Sequence, residues 1–167
     1  MKRMISALLL AGLFLWSASQ VMAYKPAVVF DMGGKFDKSF NEGIWNGLEK
    51  FRKETGIKYR EFEVTQEAQR EQFLRKLASR GSDPVIAVGF AQAAALTKVA
   101  KEFPKTRFSI IDMVVDLPNV QSIIFKEHEG SFLVGALAAM KSETAAVGFV
   151  GGMDIPLIHK FACGYVQ

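Results

Sequence analysis

The sequence has little of what disulfide frameworks and metal sites are built from. Its 167 residues include one cysteine and two histidines. Cys163 cannot form an internal disulfide, and its apolar neighbours predict a buried, unreactive thiol. His128 and His159 show no HxxxH or CxxC spacing, so we expect surface side chains rather than metal ligands. The sequence therefore predicts no metal or other cofactor.

Motifs that bind nucleotide phosphates or form a catalytic nucleophile are also missing. Gly33 and Gly34 do not belong to a GxGxxG motif, and the lysine that follows them precedes Phe36 rather than Ser or Thr, which excludes a P-loop. No GxSxG nucleophile motif occurs. These absences favour a binding protein over an enzyme. An enzyme on a similar fold stays the alternative, because a fold does not determine a function.

Charge of one sign is not in large excess. The formal net charge is +4, and Lys2 and Arg3 contribute half of it. A balance this mild gives no reason to expect a nucleic-acid partner or an anionic membrane surface.

The N-terminus has the composition of an export signal. Lys2 and Arg3 precede an apolar stretch, residues 4–16, that is short for a membrane-spanning helix. Val-Met-Ala at 21–23 fits a small-residue cleavage site. We therefore expect residues 1–23 to be a cleaved signal peptide and the mature protein to be periplasmic or otherwise extracytoplasmic. No cysteine follows the apolar stretch, so no lipid anchor is expected; an uncleaved N-terminal anchor is the alternative.

Strand-like and helix-like segments alternate along the rest of the chain. The predicted strands are 26–30, 58–64, 85–88, 107–111, 120–125 and 145–150, and the predicted helices are 39–55, 66–80, 91–102, 129–141 and one that begins near 156. The helix at 39–55 has Ser39 and Glu42 at the spacing of a capping box. Continuously apolar strands joined by helices predict an α/β fold, a parallel sheet with helices on both faces.

Ligands of such sheets bind beyond the carboxyl ends of the strands. Two polar residues that directly follow predicted strands are Asp31 and Asp112, and the turn after 85–88 begins with Gly89 and Phe90. The loop after the first strand also presents Lys38, Ser39, Phe40 and Asn41. Carboxylates accept hydrogen bonds from hydroxyls, an amide both donates and accepts, and an aromatic ring stacks on a planar solute. Purely structural roles stay open as well, since the aspartates could cap loops and Phe40 could belong to the core.

Five sequence stretches resemble one family. They are DMGGKFDKSFNEGIWNG at 31–47, VGF at 88–90, ID at 111–112, EGSFLVGALAA at 129–139 and VGFVGGMDIP at 147–156. With them the chain is similar to the basic membrane proteins, solute-binding proteins of ABC importers that resemble purine-nucleoside receptors. The DKSFN core at 37–41 is the most distinctive of these motifs.

The resemblance implies a periplasmic-binding-protein type I fold, with two α/β lobes around a hinged cleft. Family members have about twice this length, so residues 24–125 would form the first lobe and 126–167 the start of a truncated, incomplete second lobe.

The resemblance also implies a small-molecule ligand, a purine nucleoside, and a membrane permease as partner. Phe40 would stack on the base, Asn41 would bond to it, and Asp31 and Asp112 would hold its polar edge, with Gly89 and Phe90 lining the cleft. A sugar or a signalling molecule in the same receptor fold is the remaining alternative.

Overall fold

The computed structural model describes residues 24–167, so the predicted signal peptide lies outside the described part. Five parallel strands form one sheet in the order β2-β1-β3-β4-β5. The strands are β1 (Ala27–Phe30), β2 (Arg60–Glu63), β3 (Val85–Val88), β4 (Phe108–Ile111) and β5 (Val120–Ile123). Each pairs in parallel with its neighbours. The parallel sheet predicted from the apolar runs is confirmed.

Five helices accompany the sheet in the described part. They are α1 (Phe40–Thr55), α2 (Gln69–Ser79), α3 (Ala93–Glu102), α4 (Glu127–Lys141) and α5 (Pro156–Val166). A short 3-10 turn, Phe90–Gln92, leads into α3, where the sequence predicts regular helix. No helix within residues 24–167 is long and apolar enough to cross a membrane.

Each face of the sheet has its own apolar core, because successive side chains of a strand point to opposite faces. On one face Val29 packs with Leu74 of α2 and Leu96 of α3. On the other face Val28 and Phe30 pack against α1. The sheet is therefore covered on both sides, and its carboxyl edge, where ligands of such sheets bind, is left between the helices.

The predicted sixth strand is wrong. Residues 143–150 are exposed and irregular, and no strand in the described part of the chain pairs with them. Apolar residues at 147, 149 and 150 give this segment a strand-like pattern. A strand also needs a neighbour for its backbone N–H and C=O groups, and a pattern within one segment cannot supply it.

Helices α4 and α5 pack closely on each other through two glycines. A Cβ on Gly135 would overlap the carbonyl oxygen of Tyr165, and one on Gly164 would overlap that of His128. Gly164 thus faces α4, and Cys163, about 100° around the helix, is exposed rather than buried as predicted. The opposite side of α4 is apolar and open to solvent.

Candidate functional site

Parallel strands bring the predicted site residues to one edge. Asp31 follows β1, Gly89 follows β3 and Asp112 follows β4, and these three strands are adjacent in the sheet. Gly89 has a φ of 95°, and a Cβ there would lie 3.1 Å from Oδ2 of Asp31. The left-handed backbone and the close approach both require glycine at this turn.

The N-terminus of α1 is held by Asp37 rather than by the predicted capping box. The Asp37 carboxylate accepts the backbone N–H of Ser39 at 2.8 Å, of Asn41 at 3.1 Å and of Glu42 at 3.1 Å. The Ser39 side chain makes no capping hydrogen bond. The carboxylate is the stronger acceptor because it is charged and has two oxygens.

The acidity of Asp37 reflects this position. Burial raises its pKa, but the three backbone N–H groups together with the Asn41 side chain outweigh burial, and the pKa lies below the ordinary value. Glu42, the predicted partner of Ser39, instead accepts the backbone N–H of Lys38 at 3.0 Å. Lys38 has a φ of 55°, so this short loop turns sharply before the helix begins.

Asp31 is already paired with an arginine that none of the sequence motifs includes. Nε and Nη2 of Arg70, in the first turn of α2, both donate to Oδ1 of Asp31 at 3.1 Å. Arg70 is 8 % exposed. The backbone carbonyl of Asp31 also accepts a long hydrogen bond, 3.5 Å, from Nδ2 of Asn41. Arg70 lies seven residues after β2, inside the helix that follows it, so the rule that selects residues directly after strands does not find it.

Asn41 is 3 % exposed, and its Oδ1 has no hydrogen-bond partner in the described part of the chain. A buried amide oxygen without a partner costs about 1–3 kcal/mol. The arrangement therefore leaves one buried acceptor at the start of α1 without a donor in the described part of the chain.

A cavity of about 980 Å³ lies between the start of α1 and the helix pair α4 and α5. Its walls are mostly apolar and aromatic, with a few charged and hydroxyl groups. They comprise Ser39, Phe40, Gly43, Ile44, Asp112, Phe125, Lys126, Glu127, Gly130, Ser131, Val134, Phe149, Phe161 and Tyr165. Apolar walls with few polar groups are typical of sites for small organic ligands.

Asp112 is the acid of this cavity that has no ion-pair or side-chain hydrogen-bond partner within residues 24–167. Its φ is 74°, an unusual backbone conformation that turns the chain at the end of β4. Burial raises the pKa of Asp112, the nearby charge of Glu127 raises it further, and Lys160 opposes both. Within residues 24–167, no hydrogen bond or ion pair to the Asp112 side chain offsets the burial of its negative charge.

Glu127, by contrast, is compensated. Lys160 of α5 donates to its Oε2 at 2.6 Å and to the carbonyl of Phe125 at 3.2 Å. Burial raises the pKa of Glu127, but the hydrogen bond from Lys160, the backbone N–H groups of Glu127 and Phe125 and the charge of Lys160 together outweigh burial and leave the pKa below its ordinary value. Glu127 begins the helix that follows β5, four residues beyond the strand, so the rule that selects residues directly after strands does not find it.

The structure thus divides the predicted site residues into two groups. Ser39, Phe40 and Asp112 line the cavity. The others lie on the same edge without forming its wall: Asp31, Lys38, Asn41, Gly89 and Phe90. No cluster of metal-ligating side chains occurs within residues 24–167.

Comparison with known proteins identifies the family. A model of the PnrA-like substrate-binding proteins of ABC transporters matches residues 24–167. The chain belongs to this family. The resemblance that the DKSFN segment and the later motifs indicate is therefore confirmed.

Two curated proteins are similar to this PnrA-like chain. The CD4+ T-cell-stimulating antigen of Listeria monocytogenes is 36% identical over 145 residues, which cover 83% of this chain and 41% of the relative. The ABC transporter nucleoside-binding protein BmpA of Lactococcus lactis is 34% identical over 147 residues, covering 85% and 42%. The chain thus spans about two fifths of the length of these relatives.

A solved structure agrees with the fold. A solute-binding protein of an ABC transporter system from Aeropyrum pernix K1 is 31% identical and superposes with a TM-score of 0.74. The match covers 86% of this chain and 42% of that chain. The periplasmic-binding-protein type I fold of this PnrA-like protein is shown, and the Lactococcus lactis and Aeropyrum pernix proteins are named for binding.

Proposed function

We propose that the protein is the extracytoplasmic solute-binding component of an ABC importer and that its solute is a purine nucleoside. The observation that carries the proposal is that the exposed ring of Phe40 and the uncompensated carboxylate of Asp112 line one cavity. A planar base stacks on an aromatic face, and a carboxylate accepts hydrogen bonds from ribose hydroxyls. The nucleoside-binding relative in Lactococcus lactis supports the same solute class.

In this proposal the site residues have different roles. Phe40 stacks on the base, the free Oδ1 of Asn41 accepts a hydrogen bond from it, and Asp112 holds the ribose. Asp31 supports the site from outside the cavity wall, because Arg70 already donates two hydrogen bonds to one of its carboxylate oxygens. Residues 24–125 form the first lobe, and the chain crosses into the second lobe at 126, between Phe125 and Glu127 in the cavity wall.

Calorimetric titration with adenosine, inosine, guanosine, hypoxanthine and ribose tests the solute class. We expect nucleosides to bind more tightly than hypoxanthine, and ribose to bind least. Binding of ribose without any nucleoside would replace the solute class by sugars while leaving the receptor fold intact. Release of free base from inosine during the titration would instead indicate an enzyme.

The proposal includes export, with cleavage between Ala23 and Tyr24 and release of an unanchored mature protein. The basic, apolar and small-residue parts of 1–23 support it. Mass spectrometry of the protein from its native host should find Tyr24 as the first residue. An intact Met1 or a lipid adduct would contradict cleavage or the free mature form.

A further inference from the structure

Arg70 sits at the carboxyl edge of the sheet without lining the cavity, yet it is almost fully buried. An arginine that loses its hydration is retained where a carboxylate compensates it, and Asp31 does so through two N–H groups. The outward contact of Arg70 is weak: Nη1 lies 3.7 Å from the exposed carboxylate of Glu67. The guanidinium is therefore committed mainly to Asp31.

Asp31 links this arginine to the ligand-facing loop. Its backbone carbonyl accepts the Asn41 side chain, and its Oδ2 lies against Gly89 at the turn after β3. Asn41 is next to Phe40 at the start of α1. A change at Arg70 is consequently transmitted through Asp31 to Asn41, the neighbour of the cavity-lining Phe40.

The pair also sets the charge of the edge. β1 and β4 are separated by β3, so Asp31 and Asp112 stand about 10 Å apart at the ends of their strands. Without Arg70 the edge would present two uncompensated carboxylates instead of one. Because charges in a partly buried cleft are weakly screened, a second free carboxylate there would attract cations.

We propose that Arg70 is a positioning and specificity-determining residue: it anchors the first turn of α1, which bears Asn41 and Phe40, and by neutralising Asp31 it makes the site select uncharged solutes over cationic ones. This inference rests on the proposed function, because it concerns the charge of the nucleoside that binds.

The proposal has a charge half, the selection of uncharged over cationic solutes, and a positioning half, the anchoring of the start of α1. The charge half is tested with two probes, adenosine, which is neutral at pH 7, and 1-methyladenosine, which is a cation. The readout is the ratio of their affinities relative to the ratio for the wild type. Arg70→Met should shift this ratio roughly ten-fold toward the cation, and Asp31→Asn, which frees the guanidinium, should shift it by a similar factor the other way. The double variant Arg70→Met/Asp31→Asn should return to the wild-type ratio.

Arg75→Met is the matched control, since it removes an arginine from the same helix whose partners are Glu71 and Glu102. Its affinity ratio should equal that of the wild type. If Arg70→Met and Asp31→Asn weaken both probes by the same factor, the ion pair is only structural and the charge half is overturned. If Arg70→Met does not fold, the change in the affinity ratio of Asp31→Asn decides whether the charge half holds.

The positioning half is tested without ligand by hydrogen exchange of the amides in residues 37–42. Arg70→Met, and Arg70→Lys, which cannot reproduce two N–H donors in a fixed fork, should both speed exchange there while α3 keeps its protection. Unchanged exchange in 37–42, or an equal rise throughout the molecule, would overturn this half. A wild type that binds neither probe contradicts the proposed function and the charge half, whereas the exchange result stands by itself.

Discussion

Phe40 begins a helix whose other apolar residues pack on the sheet, yet its ring is 36 % exposed and lines the cavity. Phe40→Ala should remove a stacking surface worth about 1–3 kcal/mol, a five- to hundred-fold loss of nucleoside affinity. Phe36→Ala is the matched control: its ring is also exposed, but it packs edge-on against Trp45 outside the cavity wall. Equal nucleoside affinity in Phe40→Ala and the wild type, by calorimetry, would mean that the stacking site is elsewhere.

The second prediction at this scale concerns Asp112 and pH. Its pKa is raised by burial and by the charge of Glu127, and its ionised form is the better acceptor for ribose hydroxyls. Nucleoside affinity should therefore rise with pH as Asp112 loses its proton, at pH values above the ordinary aspartate pKa of about 3.9. Asp112→Asn should remove this part of the pH dependence and weaken nucleosides more than hypoxanthine.

The free energy of unfolding should change with pH in the opposite direction to nucleoside affinity. A carboxyl group whose folded-state pKa is raised binds more protons folded than unfolded, so without ligand the free energy of unfolding should fall as pH rises through the same range. The difference between the wild type and Asp112→Asn in chemical denaturation isolates this contribution from those of other carboxylates. A difference that does not change with pH would contradict the raised pKa.

At the scale of the element, one side chain determines where α1 starts. Asp37 accepts three backbone N–H groups in the first turn, so Asp37→Ala should lower Tm by a few degrees and weaken nucleoside binding, since Phe40 and Asn41 lie in that turn. Asp37→Asn keeps an acceptor and should have a smaller effect. Because the folded-state pKa of Asp37 is lowered, its contribution to stability is present above the ordinary pKa and lost as pH falls. Ser39→Ala, a control that removes the predicted cap, should leave Tm unchanged.

The bounds of an element could be predicted where neighbouring residues in the sequence determine them. Predicted and observed bounds of β3 coincide, and those of β1 and β4 differ by one residue, because short apolar runs bounded by turn residues are local signals. The capping-box pattern predicts Ser39 as the cap of α1, whereas Asp37, two residues earlier, makes the capping hydrogen bonds. The capping-box spacing describes regular helix starts, and the left-handed Lys38 makes this start irregular. The segment at 145–150 has the apolar pattern of a strand, but it forms none because no strand of the described chain lies beside it.

At the scale of the whole molecule, the exposed apolar side of α4 should determine whether the protein associates with itself. Leu133 is 69 % exposed and Leu137 57 %, and one helix turn separates them. Exposed apolar patches of this kind favour self-association, so residues 24–167 should elute above monomer size in size-exclusion chromatography with light scattering. Leu133→Glu/Leu137→Lys, which keeps the net charge, should shift the protein toward monomer.

Gln72→Glu/Ser79→Lys, an equally neutral pair of substitutions on exposed positions of α2, is the control and should not change the elution. A monomeric, sharp and reversible two-state melt of the unmodified chain would contradict the prediction.

The sequence by itself determined the parallel α/β architecture, the family, and the position of Asp31, Gly89 and Asp112 at the carboxyl edge. These follow from the order and polarity of residues along the chain, since parallel strands end on the same side whatever packs around them. Only the tertiary structure decided what those residues do. Arg70 reaches Asp31 across 39 positions of sequence, whereas Asp112 faces the cavity without a partner in the described chain. Which carboxylate is compensated and which is free depends on charges brought together by packing, and packing between distant segments has no local signal in the sequence.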